Sequence, residues 1–133
     1  MKRVIAMLAA TLAGPAMAAD SLVSTDQATQ RVISRAGGNI SDVRQEGGGN
    51  NWAETSQNGS GNAARIIQQG SGNSSTINQS GSGLNAESVQ SGGAGVRIDQ
   101  SGAAGNIRVQ QTGPGAGGAT IQSMGGIPSV TVR

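Results

Sequence analysis

The sequence predicts an all-β fold: a β-solenoid whose strand-turn-strand rungs of about 22 residues stack into two facing parallel sheets. Three observations predict it. Glutamine recurs at Gln45, Gln57, Gln68, Gln79, Gln90, Gln100, Gln111 and Gln122, in steps of 12, 11, 11, 11, 10, 11 and 11. Glycine follows two places later at Gly47, Gly59, Gly70, Gly81, Gly92, Gly102 and Gly113, with Met124 taking that place in the last unit. Two places before each glutamine stands Val43, Thr55, Ile66, Ile77, Ser88, Ile98, Val109 or Thr120, a position that is mostly β-branched. Such a fixed period marks an array in which each unit packs on its neighbours.

The chain opens on Met1-Lys2-Arg3, followed by an apolar run from Val4 to Gly14 that is too short to span a bilayer. Ala16-Met17-Ala18 then supplies a small-residue cleavage signal. Residues 1–18 therefore read as a signal peptide, and the mature chain is expected to be exported. Residues 19–34 are not repetitive. Within them, the stretch from Ser24 to Arg35 is open to two readings, a short helix capped by Asp26 or Thr25 and an export tail. The repeats run through 35–122, and 123–133 is a degenerate last unit containing Pro128.

Each repeat reads as a turn and then a strand. In Gln57-Asn58-Gly59-Ser60-Gly61-Asn62, glycine and asparagine suit a tight reversal because they tolerate positive φ. Ala64, Ile66 and Gln68 then alternate with Ala63, Arg65 and Ile67, the period of a strand. One unit reverses the chain, so two make a rung. Gln45, Gln68, Gln90 and Gln111 fall on one sheet, and Gln57, Gln79, Gln100 and Gln122 on the other. Asn51, Asn62, Asn73, Asn85 and Asn106 follow the turns. Buried amides are costly unless bonded, and stacked equivalents can bond to one another as a ladder. Three places before the glutamines of the first sheet come Asp42, Arg65, Glu87 and Arg108, whose signs alternate up the stack.

Composition narrows the function. Without residues 1–18 the seven arginines meet seven acids, so the basic character belongs to the leader and gives no support to nucleic-acid binding. The chain has no His and no Cys, which removes His-based catalytic dyads and the usual zinc ligands. Gly113-Pro114-Gly115-Ala116-Gly117-Gly118 matches a dinucleotide-loop spacing but lacks the βαβ context, and reads as a turn. Trp52, the one aromatic residue, reads as packing at the first turn. No enzyme activity, cofactor, metal or small-molecule substrate is expected.

Gln57-x-Gly59-x-x-Asn62-x-Ala64-x-x-x-Gln68 resembles the curlin repeat, and Gln68-x-Gly70-x-x-Asn73-x-Ser75-x-x-x-Gln79 matches it but for Ser75. The resemblance covers about Arg35 to Gln122. It implies a secreted structural subunit of extracellular curli-type amyloid fibres at the bacterial cell surface, serving adhesion and biofilm matrix. It also implies self-association, association with homologous fibre subunits, and passage through an outer-membrane secretion pore with accessory factors. The glutamine and asparagine slots would then be the stacking residues. Asparagine is displaced at Asn85 and Asn106. The even spread of Gln-x-Gly and the degenerate last unit resemble the minor, nucleating subunit more than the major one. The other reading is a soluble monomeric solenoid that binds a ligand or surface.

Overall fold

A computed structural model describes residues 8–10, 28–35, 37–47, 49–115, 117–125 and 130–132. Apart from Leu8–Ala10, the expected leader lies outside the described residues. Eleven strands are described: β1 (Leu8–Ala10), β2 (Ala28–Arg35), β3 (Ile40–Glu46), β4 (Asn51–Ser60), β5 (Ala63–Gln69), β6 (Ser74–Ser82), β7 (Asn85–Ser91), β8 (Gly95–Ala103), β9 (Asn106–Thr112), β10 (Ala119–Met124) and β11 (Val130–Val132). They form two parallel sheets. The six-stranded sheet has the order β1-β2-β4-β6-β8-β10, and the five-stranded sheet β11-β9-β7-β5-β3. Every neighbour in a sheet is thus one rung away in sequence, and the architecture is the two-sheet solenoid that the repeat predicts.

The register follows the glutamines. Gln68 stands between Gln45 and Gln90, while Gln79 stands between Gln57 and Gln100. A flat hairpin sheet would have set Gln68 beside Gln79. Period-two alternation turns one side of each strand inward, and Val43, Ala53, Ala64, Ile66, Ile77, Ala86, Val96, Ile98, Ile107 and Val109 form the buried apolar core. Between the sheets the Ser41 and Thr55 hydroxyls bond to each other at 2.7 Å. The Ser75 and Ser88 hydroxyls, also buried, have no partner within the core.

The stack begins before the repeat does. Ala28–Arg35 is strand β2 and pairs along its length with β4, so the helix reading of this stretch is wrong. Thr29, Val32 and Ile33 are β-branched, and the open edge of β4 offers ladder bonds that an isolated short helix lacks.

The strands also outrun their expected ends in one sheet. In the five-stranded sheet β5, β7 and β9 stop at Gln69, Ser91 and Thr112, one place past the glutamine. In the six-stranded sheet β4, β6 and β8 continue three places past it, to Ser60, Ser82 and Ala103. There Gly59, Gly81 and Gly102 stay within the ladder, each directly over the next. Gly81 has φ +144°, and a Cβ placed on it would lie 1.7 Å from the Gly102 carbonyl oxygen. Backbones this close leave no room for any side chain, so this column needs glycine for space as well as for conformation.

Gly81→Ala is therefore expected to destabilise the soluble monomer by about 2–4 kcal/mol in denaturant unfolding, through strain and a backbone clash. Gly37 has open space around its Cβ position and no positive φ. Gly37→Ala should change stability by less than about 0.5 kcal/mol.

Candidate assembly interface

The inner face carries two columns of buried amides. In the five-stranded sheet Gln45 Nε2 donates to Gln68 Oε1 at 2.6 Å, and Gln68 Nε2 to Gln90 Oε1 at 3.0 Å. In the six-stranded sheet Gln57 donates to Gln79 and Gln79 to Gln100, both at 3.0 Å. The second hydrogen of each amide crosses to the opposite sheet. Gln68 donates to the Trp52 carbonyl at 2.8 Å, Gln79 to Ala63 at 2.9 Å and Gln90 to Ser74 at 2.9 Å. Gln57, Gln68 and Gln79 therefore tie their own strands to the rung beyond and to the strand facing them, while Gln90 donates to the Ser74 and Ala94 carbonyls and not to Gln111. Each such bond is worth about 0.5–1.5 kcal/mol net, whereas an unmade one leaves a buried donor stranded.

Both columns have a direction. The donor always points toward the C-terminal rung, so the acceptor is left over at the N-terminal end. Gln45 Oε1 and Gln57 Oε1 are buried without partners. At the other end Gln100 Nε2 is buried without a partner. Gln111 pairs with Gln90 in register, but its Nε2 turns to the Gly117 carbonyl at 2.7 Å and its Oε1 has no partner.

Gln122 lies outside the column. It sits opposite Asp99 on the exposed face, and Ser123 occupies the slot over Gln100. The β-branched phase shifts with it: Ile121, not Thr120, lies over Ile98 and packs against the core. The physical reason is that burying an isoleucine returns about 1.5–3 kcal/mol, more than one amide bond. The long glycine turn before β10 supplies the extra residue that lets the strand choose its apolar phase.

The asparagine slot holds asparagine in only part of the stack. Asn51, Asn62 and Asn73 are buried, and so is Asn39, which lies one step earlier. Each staples a turn. The Asn62 Oδ1 accepts from the Leu84 amide at 3.1 Å in the next rung, and its Nδ2 donates to the Gly81 carbonyl at 3.0 Å. Asn73 Oδ1 accepts from the Gly93 and Ala94 amides at 3.0 and 3.2 Å. Asn39 Oδ1 accepts from the Asn62 amide at 3.0 Å. In the next three half-rungs the slot holds Leu84 and Ala94, both buried, and then Gly105, while Asn85 and Asn106 stand one place past Leu84 and Gly105 and are exposed. Counting back six residues from each glutamine finds Asn39 and Ala94; counting forward five from the previous glutamine misses them, because no repeat glutamine precedes Asn39 and the unit from Gln90 to Gln100 is one residue shorter.

The turn glycines of the five-stranded sheet, Gly47, Gly70, Gly92 and Gly113, all have positive φ. On the outer face of that sheet Asp42, Arg65, Glu87 and Arg108 form a continuous ladder, with N–O distances of 3.4, 3.7 and 3.2 Å between successive partners. These groups are partly exposed, so each pair contributes only a few tenths of a kcal/mol and mainly selects register. On the other sheet, burial pushes the Asp99 carboxyl up, but hydrogen bonds from Arg97 and Asn78 outweigh it and hold the pKa below its ordinary value. Trp52 lies on the outer face, 41% exposed, rather than packed in a turn.

Residues 48–81 match the family model of the curlin associated repeat. Over this stretch the chain is similar to the curlin repeat. The matched stretch holds the best-formed part of the ladders, from Asn51 through Gln57, Asn62, Gln68 and Asn73 to Gln79. No curated protein and no solved structure matched the chain. The curlin repeat is thus, in this chain, a half-rung whose asparagine fastens the turn and whose glutamine fastens the strand.

Asn62→Ala removes an acceptor from Leu84 N and a donor from Gly81 O within the buried turn. It is expected to cost about 1–3 kcal/mol in monomer stability. Asn85→Ala, on the surface beside it, should cost less than about 0.5 kcal/mol. Matched urea titrations of the two variants check both values.

Proposed function

We propose that this chain is a structural subunit of extracellular curli-type amyloid fibres, assembled by strand stacking and exported by way of the leader at residues 1–18. It has no catalytic role in this reading. Its partners are copies of itself and homologous fibre subunits, with an outer-membrane pore and accessory factors serving its export, and the fibre serves adhesion and biofilm matrix at the cell surface. The observation that carries the proposal is the pair of in-register amide columns that end in unpartnered buried acceptors on Gln45 and Gln57. A solenoid that worked alone would gain by satisfying or replacing these groups, whereas a further strand placed on β3 would supply a donor to Gln45, and one exchanged for β2 could supply a donor to Gln57. The curlin repeat supports the same reading.

The test is polymerisation of the purified mature chain followed by thioflavin T. Fibres growing after a lag support the proposal, and a stable monomer would favour the soluble ligand-binding solenoid instead. Simultaneous replacement of Gln68, Gln79, Gln90 and Gln100 by Leu retains volume and apolar character but removes the amides. It should slow elongation at least about tenfold and abolish seeding by wild-type fibres, because a set of cooperating bonds of about 1 kcal/mol each is lost. Equal rates for the variant and wild type would show that these glutamines do not direct assembly.

A further inference from the structure

The two ends of the five-stranded sheet are not equivalent. At the N-terminal end β3, seven residues long from Ile40 to Glu46, is the edge strand among the described residues. At the C-terminal end the edge of β9 is partly occupied by the chain's own last strand. β11 pairs with Ile107, Arg108 and Val109, and among the described residues Gln110, Gln111 and Thr112 have no ladder partner on that side. It also interrupts the pattern beneath it. Thr131 takes the register position opposite Arg108, where the Asp42–Arg65–Glu87–Arg108 column calls for an acid. No residue of β11 reaches the position opposite Gln111.

The strand that fits this edge is β3 of a second copy. Continued at the register of β7 on β9, it sets Asp42 opposite Arg108, Val43 opposite Val109 and Gln45 opposite Gln111. The alternation of charge then runs unbroken from one copy into the next. The Gln45 Oε1, 2% exposed as a residue and without a partner, then stands opposite Gln111, whose Nε2 is held by the Gly117 carbonyl in the free chain and has to turn to Gln45 to continue the donor direction of Gln45 and Gln68. Pairing rises from three residues to seven. We infer that β11 is an intramolecular placeholder on the growing edge, which β3 of an incoming copy displaces when the two copies join. The register then brings β10 against β4 of the incoming copy, on the edge that β2 holds in the free chain. There the Ser123 hydroxyl lies in the slot next to the unpartnered Gln57 Oε1. The end strands of the free chain thus protect its sheet edges before assembly and give way during it. This rests on the self-assembly proposed above and adds a control on its rate.

The test compares the mature chain with a form truncated after Gly125 and with Thr131→Lys and Thr131→Asp. Lag time and seeded elongation are measured by thioflavin T, and circular dichroism checks that each starting monomer keeps its β content. Truncation removes the placeholder and should shorten the lag severalfold. Thr131→Lys, opposite Arg108, should shorten it about twofold, and Thr131→Asp, which supplies the missing acid, should lengthen it about twofold. A truncated chain that polymerises as slowly as wild type or more slowly would overturn the placeholder and make β11 a docking rung. So would point variants that shift the lag in the same direction. If the wild-type chain itself forms no fibres, self-assembly fails and the placeholder falls with it.

Discussion

A buried primary amide needs partners for two hydrogens and an oxygen, and the rest of this structure depends on how that need is met. In-register parallel stacking places each glutamine over an identical one a rung away, so one hydrogen and the oxygen are satisfied along the stack. The second hydrogen must go elsewhere, and it goes to a carbonyl at the start of the facing strand. That second bond converts two separate sheets into one body. It also fixes the phase of one sheet against the other, which apolar contacts between Ile66, Ile77 and Ile98 would do only loosely.

The same chemistry gives the molecule a polarity. Because each glutamine-to-glutamine bond runs with the donor on the N-terminal side, the ends carry different unmet needs. The N-terminal end holds acceptors on Gln45 and Gln57, while the C-terminal end holds the Gln100 donor beneath Ser123. A globular protein would be destabilised by such groups. In the assembly proposed above, the Gln45 acceptor on the edge strand β3 is the group that a further unit would meet. Charge works alongside as a weaker register device: the exposed Asp42–Arg108 column contributes little energy, but a slipped pairing would set like charges together.

Strands and turns answer to different constraints. The distance from a turn asparagine to its strand glutamine is the same in every half-rung that has both, because each side chain must meet its equivalent in a ladder. The turns carry no such requirement and absorb the variation in repeat length. Glycine columns such as Gly59, Gly81 and Gly102 are the exception, where backbones lie so close that the turn itself stacks.

The sequence by itself determined the fold class, the rung of two repeats, the sorting of glutamines into two columns and the alternating charges on one face. All of these follow from a period, and a period is visible in one dimension. What only the tertiary structure decided are the places where two periodic signals compete. In the last unit Ile121 and Gln122 cannot both face inward, and burial of the isoleucine prevails over the amide, leaving Ser123 in the slot. Leu84 and Ala94 fill the asparagine slot while Asn85 and Asn106 stand outside, since phase is set by the strand that follows and not by the residue type that recurs. Ala28–Arg35 carries no repeat at all and becomes a strand because β4 offers it an edge. The partial cover of β9 by β11 belongs to the same class, for which strand takes an edge depends on what else in space can reach it.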